Sequence, residues 1–197
     1  WNEPNLSLFW YPAVSPTDYA ELLKVGHAGV RASDPEAIIL HAGLSPRSDG
    51  TAATAYLKGL YDAGVQNCFD VVNAHIYIGW NAPPWMKTTN IDPLRTIMAD
   101  YGDAGLSLWI TEIGYSTGND PALEALQAEH IASASTEFSK NYFQALFWFS
   151  LRDLSPSDTD NMHGLLRKNF DRKPAFETYI EQPSAWEDGG GEVLDSE

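Results

Sequence analysis

The sequence predicts a parallel α/β fold that corresponds to half of an eight-unit (β/α)8 TIM barrel. Short apolar runs typical of strands alternate with segments of helical periodicity along most of the 197 residues. This order is typical of a parallel sheet built from strand–helix units. After a strand that ends at Trp1 and the helix that follows it, four strand–helix units can be counted, and a closed barrel has eight. With 44% hydrophobic and 20% charged residues, the chain can bury a sizeable core.

The first helix is predicted to begin after Ser15. A serine N-cap, Pro16 at the first helical position and Asp18 three residues after the cap are start signals for a helix. Apolar residues at helical spacing predict its buried face, which comprises Tyr19, Leu22, Leu23, Gly26 and Val30. A short buried strand at 37–40 and a helix at 51–63 follow.

The next strand is predicted at 69–77. Because successive side chains of a strand alternate between its two faces, Asn73, His75 and Tyr77 should share one face. The loop that follows, residues 79–90, is rich in Trp and Pro.

A further strand is predicted at 106–113. By the same alternation Leu108, Ile110 and Glu112 should share a face. Trp109 has the opposite parity, so it is expected to face the helices and serve packing.

The remaining elements complete the four units. They are a helix at 92–101, a helix from Pro121 with an apolar face of Leu123, Leu126, Ile131 and Phe138, a strand at 142–150 and a helix at 174–180. Residues 1–182 are therefore expected to form the barrel segment. Residues 183–197 are glycine-rich and acidic, as in a solvated tail or linker.

Five chemically capable residues fall at the C-terminal ends of predicted strands, where such barrels place their chemistry. They are Glu3, His75, Tyr77, Glu112 and Trp148. Any one of them alone would more often be solvated, ion-paired or packed in a core, but packing does not readily place all five there. Two carboxyls delivered to one cleft by separate strands are what retaining glycoside hydrolysis needs, one as proton donor and one as nucleophile.

At these residues the chain resembles the C-terminal half of a clan A glycoside hydrolase, that is, strands 4 or 5 to 8 of the barrel. The run Trp-Asn-Glu-Pro-Asn at 1–5 resembles the fourth-strand motif, which implies that Glu3 is the general acid/base and that Asn2 binds the sugar 2-hydroxyl. The run Trp-Ile-Thr-Glu-Ile-Gly at 109–114 resembles the seventh-strand motif, which implies that Glu112 is the nucleophile.

The resemblance extends over about residues 1 to 181. His75 and Tyr77 match the sixth strand, whose His and Tyr border the nucleophile, which implies that both bind the substrate. Trp148 matches the eighth-strand aromatic that floors the central sugar subsite. Within the clan, Asn-Glu-Pro-Asn with Phe-Trp at 9–10 looks most like family 39, with family 5 cellulase-like enzymes close behind.

The expected partner is an oligosaccharide or polysaccharide. Sugar rings stack on aromatic side chains, and the loops after the strands contain Trp10, Trp80 and Trp85. The alternative to a sugar-binding role is that these residues form a loop lid packed on itself. A net charge of −15 argues against nucleic acid and anionic membranes as partners. No apolar span reaches the roughly 20 residues of a membrane helix. No cofactor is expected, and secretion is neither shown nor excluded.

Two other functions stay open at this point. A metal-dependent hydrolase could use His41, His75, Glu3 and Glu112 as ligands, although no His-x-His pair stands out and dedicated metal sites generally cluster more tightly. A carbohydrate-binding or inactive barrel fragment is the second alternative, since the N-terminal half of the barrel is missing from the sequence. That missing half is itself an expected partner, and the chain alone is expected to have little or no activity.

Overall fold

The structure is a computed structural model that describes residues 1–46, 50–77, 91–137, 143–154 and 161–182. The chain divides into two compact units, of which the first comprises Trp1–Tyr115 with Phe138–Phe149 and the second Ser116–Glu137 with Ser150–Glu197. Among the described residues, no helix combines the length and the apolar character that crossing a bilayer requires.

The first unit contains a parallel three-stranded sheet in the order β1-β2-β3. Its strands are β1 Val71–Tyr77, β2 Ser107–Gly114 and β3 Phe143–Trp148. Two extended segments continue the ladder beyond β1 through isolated parallel bridges, Leu40 to Val71, Leu44 to Ala74 and Asn2 to Gly43. The predicted α/β order with parallel strands is therefore confirmed for the described residues.

Five helices are described, at positions close to those predicted. They are α1 Pro16–Ser33, α2 Ala53–Asp62, α3 Asp92–Asp100, α4 Pro121–Glu137 and α5 Pro174–Ile180. The predicted start of α1 is confirmed, because the Ser15 hydroxyl accepts a hydrogen bond from the Asp18 amide at 3.1 Å.

The predicted buried face of α1 is only partly correct. Tyr19 and Leu23 are buried, but Leu22 and Val30 are exposed. The ring of Tyr19 packs against Tyr56 of α2, whereas a side chain at Gly26 would meet nothing within 4 Å. The helix therefore buries mainly its first turns, which periodicity alone does not reveal.

The segment 37–40 is not the buried strand that the sequence predicts. Ile38 is 63% exposed, and the segment makes only isolated bridges. The amides of Asp70 and Val71 both donate to the Ile39 carbonyl, and the Asp70 carboxylate accepts from the Ile39 amide. The segment is thus held along β1 by its backbone rather than by burial of its side chains.

One face of β1 and β2 is apolar and almost fully buried. Its members are Val72, Ala74, Ile76, Leu108, Ile110 and Ile113. Buried residues of α2 and α3, including Leu57, Leu60, Leu94 and Met98, complete this core. The opposite face of the same strands carries the polar side chains described below.

In the second unit, the predicted apolar face of α4 is only partly correct, because Ile131 is buried as predicted but a polar face is buried in place of the leucines. Glu124, Gln127 and His130 are buried, whereas Leu123 and Leu126 are only half-buried; the predicted Phe138 lies outside the described residues. The reason is the neighbouring loop: Glu124 accepts from Arg167, and the Gln127 amide donates to backbone carbonyls at 163 and 164.

Candidate active site

The first carboxyl, Glu3, directly follows Asn2, which forms a parallel bridge to residue 43. Its amide donates to the Gly43 carbonyl at 3.1 Å, and its side chain is 9% exposed. Its backbone φ is +37°, a region that non-glycine residues seldom adopt and that is often found at functional sites.

Asn5 fixes the loop that follows Glu3. Its side-chain amide donates to the carbonyls of Ser45 and Thr51 at 2.9 and 3.0 Å, and its oxygen accepts from the Ser45 amide at 3.0 Å. A Cβ at Gly50 would lie 2.1 Å from the Asn5 carbonyl oxygen, so only glycine fits there. The second asparagine of the Asn-Glu-Pro-Asn run is therefore a buried clamp.

The second carboxyl, Glu112, is directed toward Glu3 by a β-bulge. In the register of β1 and β2, Ala74 pairs with Ile110 and His75 pairs with Glu112, so Thr111 is an extra residue. Paired residues of parallel strands share a face, which places Glu112 on the His75 face.

The bulge corrects two sequence predictions. Glu112 does not share a face with Leu108 and Ile110, because the extra residue reverses the alternation after Ile110. Trp109 does not face the helices either, because it lies opposite Asn73 and is half-buried. A bulge depends on the partner strand, so no single run of sequence reveals it.

The two carboxyls meet at His75. Its Nδ1 lies 2.9 Å from Glu3 Oε1 and 3.5 Å from Glu112 Oε2. One oxygen of each carboxyl and one ring nitrogen of His75 all lie within 4.8 Å of one another. We refer to Glu3, His75, Thr111, Glu112 and Tyr77 as the site cluster.

Tyr77 lies on the same polar face of β1 as His75, as the alternation of side chains predicts. Its hydroxyl donates to Glu112 Oε2. Burial, this hydrogen bond and the charges of Glu112 and Glu3 all raise the pKa of Tyr77, so the tyrosine keeps its proton and remains a donor. The Phe149 ring, which sequence analysis did not single out, lies 6.1 Å from the Tyr77 ring.

The His75 ring lies directly against the backbone of Gly43. A Cβ at Gly43 would be 2.0 Å from His75 Nε2, an impossible contact. The same nitrogen lies 3.1 Å from Thr111 Oγ1, whose hydroxyl donates to Asn73 Oδ1 at 2.8 Å. Sequence analysis missed Gly43 and Thr111, because neither residue type signals chemistry.

His41 is not available as a metal ligand. Its Nε2 accepts from the Asn73 amide at 3.2 Å and its Nδ1 donates to the Ala42 carbonyl at 2.7 Å. Burial, opposed by the backbone hydrogen bond, lowers the pKa of His41 to about 4, which keeps the ring neutral. The metal-site hypothesis is therefore wrong for His41, whereas Glu3, His75 and Glu112 do converge.

The predicted sugar-binding residues have different surroundings. Asn2 is exposed. Trp10 is half-buried, and its ring packs between those of Trp1 and Tyr19 at 5.7 and 5.8 Å. Trp148 is half-buried and lies opposite Ile113 in the register of β2 and β3.

The other two candidate aromatic residues, Trp80 and Trp85, lie outside the described residues. The sugar-binding roles of these five residues, and of His75 and Tyr77, stay predictions.

The second unit contains another buried polar cluster, the lysine cluster, formed by Thr117, Asp153, Met162 and Lys173. Lys173 Nζ donates to Thr117 Oγ1 at 3.0 Å, to Asp153 Oδ1 at 3.0 Å and to the Met162 carbonyl at 3.3 Å. Burial lowers the pKa of Lys173, opposed by the hydrogen bond and charge of Asp153. Asp153 thus belongs to a buried ion pair, an arrangement that sequence analysis did not identify.

Comparison with known proteins agrees with this architecture. A protein-family model described as the glycosyl hydrolase catalytic core matches residues 1–179. A search of curated proteins found no match.

Three solved structures illustrate the likeness. A monomeric β-xylosidase from Caulobacter crescentus CB15 is 22% identical with a TM-score of 0.63, over 91% of this chain and 39% of that one. A family 128 endo-β-1,3-glucanase from Sorangium cellulosum is 19% identical with a TM-score of 0.67, over 93% and 68%. Xylanase 10B from Thermotoga maritima is 19% identical with a TM-score of 0.56, over 82% and 51%.

These structures are TIM-barrel glycosidases. At such identities the likeness shows the fold alone. The chain spans about two fifths of the length of the Caulobacter β-xylosidase, 39%.

Proposed function

The chain belongs to the glycosyl hydrolase catalytic core family, and we propose that it supplies both catalytic carboxyls of a retaining β-glycosidase. The observation that supports this most strongly is that one oxygen of Glu3 and one of Glu112 lie within 4.8 Å of each other. Carboxyls about 5 to 5.5 Å apart are typical of retention, whereas inversion needs about 6.5 to 9.5 Å to admit a water molecule.

The surroundings of the two carboxyls support different roles. The Glu112 side chain is 23% exposed, so a sugar can reach it, and one of its oxygens accepts a hydrogen bond from the Tyr77 hydroxyl. The Glu3 side chain is only 9% exposed and faces His75 Nδ1. We therefore assign Glu112 as the nucleophile and Glu3 as the general acid/base.

The reaction then has two steps. Glu112 attacks the anomeric carbon while the bond to the leaving oxygen breaks and Glu3 gives that oxygen a proton. Glu3 next removes a proton from water, which attacks the anomeric carbon and releases Glu112. Each step inverts the anomeric carbon, so the product keeps the configuration of the substrate.

We propose a β-linked oligosaccharide or polysaccharide as the substrate. The structural neighbours include enzymes named for xylosides, xylan and β-1,3-glucan, so xylose and glucose units are the first to test. Asn2 would bind a sugar hydroxyl, and Trp10, Trp80, Trp85 and Trp148 would provide stacking surfaces. Neither the reaction nor these groups calls for a cofactor.

We further propose that residues 1–182 are the C-terminal half of a (β/α)8 barrel. Five parallel segments run in chain order across the described part of the first unit, ending with β3. Several large apolar side chains of this unit are exposed, among them Phe147 at 48%. An N-terminal half of the same barrel would cover such surfaces, so turnover by the 197-residue chain alone would contradict this proposal.

A metal-dependent hydrolase is the second candidate, because Glu3, His75 and Glu112 could hold an ion. Its activity would be lost with EDTA and restored by a divalent cation. The two-carboxylate reaction would be unaffected by EDTA, so one assay separates the candidates.

The test of the proposed function is hydrolysis of aryl β-xylosides, aryl β-glucosides, xylan and β-1,3-glucan by the full-length parent protein. Glu3→Gln and Glu112→Gln should each lose activity. With added azide, Glu3→Ala should form a β-glycosyl azide and Glu112→Ala an α-glycosyl azide, because azide replaces water in the first variant and the nucleophile in the second. If no substrate is cleaved, or both Gln variants stay active, carbohydrate binding becomes the better account.

A further inference from the structure

The hydrogen bonds behind His75 define which of its ring nitrogens carries a proton. The first link is Asn73, whose side-chain nitrogen donates to the His41 carbonyl at 3.3 Å. A carbonyl oxygen can only accept, so Asn73 must direct its NH2 group there and its Oδ1 toward Thr111. The orientation of the amide is thereby determined.

The second link is the Thr111 hydroxyl, which has a single proton. It donates that proton to Asn73 Oδ1 at 2.8 Å. Toward His75 Nε2, at 3.1 Å, it can then present only a lone pair. Nε2 of His75 must therefore carry a proton to make this hydrogen bond.

The consequence appears on the other side of the ring. When His75 is neutral and Nε2 is protonated, Nδ1 presents a lone pair to Glu3 Oε1 at 2.9 Å. If Glu3 were also ionised, two lone pairs would face each other in a buried site. A proton between Oε1 and Nδ1 removes this repulsion, whether Glu3 holds it as a carboxylic acid or His75 holds it as an imidazolium.

We propose that Thr111 is a positioning residue that keeps one shared proton on the Glu3–His75 pair. The inference rests on the proposed function, since this proton is the one that a general acid must hold before the glycosidic bond breaks. The proton passes to the leaving oxygen in the first step, and the pair regains one from water in the second step, so the count balances.

The charges around the Glu3–His75 pair also favour the shared proton. Among the described residues, the ionisable groups near it are Glu112, 3.5 Å from Nδ1, and Tyr77, which donates to Glu112. The negative charge of Glu112 favours a proton at Nδ1 or Oε1. His41 lies behind Asn73 and is neutral.

Thr111→Val and Thr111→Ser form a matched pair for the test. Valine keeps the shape but removes the hydroxyl, so His75 can move its proton to Nδ1 and donate to an ionised Glu3. The pair then loses its extra proton more easily. We expect the alkaline limb of kcat/KM against pH, measured on the full-length parent protein, to move about one pH unit lower in Thr111→Val, the size that one hydrogen bond can produce.

Thr111→Ser retains the hydroxyl and should keep the alkaline limb of the parent. An unchanged limb in Thr111→Val, or an equal shift in Thr111→Ser, would overturn the proposal.

A second measurement does not depend on activity. In protein labelled with 15N-histidine, the ring nitrogen shifts of His75, assigned by their loss in His75→Gln, report which nitrogen is protonated. We expect Nε2–H in the parent and in Thr111→Ser, with or without a second proton on Nδ1, and Nδ1–H with an unprotonated Nε2 in Thr111→Val. An unprotonated Nε2 in the parent overturns the inference even if glycosidase activity is found. If no glycoside is cleaved, the proposed function fails and the NMR result still decides the proton arrangement.

Discussion

The site cluster and the lysine cluster are both built around buried charged groups, but they differ in solvent exposure and in whether a proton can move. Lys173 has three donors, and each has an acceptor in Thr117, Asp153 or Met162. In the site cluster, Glu112 is partly exposed, and one proton lies between Glu3 and His75 in our interpretation. A cluster in which every lysine donor has an acceptor serves stability, whereas a partly exposed cluster with a movable proton can serve chemistry.

The largest expected effect is on stability, in the lysine cluster. Lys173→Met should lower the free energy of unfolding by about 3 to 5 kcal/mol, because it leaves Asp153 buried without its cation. Denaturant unfolding of the full-length parent protein measures this change. The double variant Lys173→Met/Asp153→Leu should recover much of the loss, and the pH profile of the folded enzyme should not change. A shifted pH profile would show that the lysine cluster also takes part in the chemistry.

His41, whose Nε2 accepts a hydrogen bond from the Asn73 amide, is expected to contribute to stability and not to catalysis. Its folded-state pKa of about 4 lies below the ordinary value of 6.5, so the unfolded state binds the extra proton first. Stability should therefore fall by about 3 kcal/mol as the pH drops from about 6.5 to about 4. The same unfolding series on His41→Gln, which cannot titrate, should show a smaller decrease. An equal decrease would assign the effect to other groups.

The next effect is on catalysis. Tyr77→Phe removes the donor to Glu112 but keeps the ring against Phe149. We expect kcat to fall about a hundredfold, the size seen when one preorganised donor is lost, with a change in unfolding free energy below about 1 kcal/mol. Tyr179→Phe, at an exposed position of α5, is the control. Comparable activity of Tyr77→Phe and the parent would contradict the role given to this hydroxyl.

The smallest expected effect concerns the close contact between Gly43 and the His75 ring. Gly43→Ala places a methyl group where the His75 ring lies, which should cost about 1 to 3 kcal/mol of stability and lower activity by displacing the ring. Gly26→Ala is the matched control, because nothing lies within 4 Å of its Cβ. In the middle of α1 it should stabilise by about 0.5 to 1 kcal/mol. Equal responses of the two variants would mean that His75 can move without loss.

The success of the sequence analysis depended on how local each feature is. The shared face of Asn73, His75 and Tyr77 follows from alternation within one strand, and the start of α1 follows from Ser15 to Asp18. Both were confirmed. Glu112 was assigned to the correct strand but to the wrong face.

The missed features depend on partners that are distant in sequence. The bulge at Thr111 exists only relative to β1, and Gly43 matters only because His75 lies against it. The buried polar face of α4 likewise requires the loop that contains Arg167. Periodicity describes one segment at a time, so contacts of this kind are not visible in it.

The stereochemistry of hydrolysis tests the central claim most directly. The full-length parent protein would be given the aryl β-glycoside that it cleaves best, and the anomeric protons of the released sugar would be followed by 1H NMR from the first minutes. The account predicts that the β-anomer appears first and then mutarotates, because two displacements restore the original configuration. Initial release of the α-anomer would mean a single displacement by water, and the assignment of Glu112 as a nucleophile would be wrong.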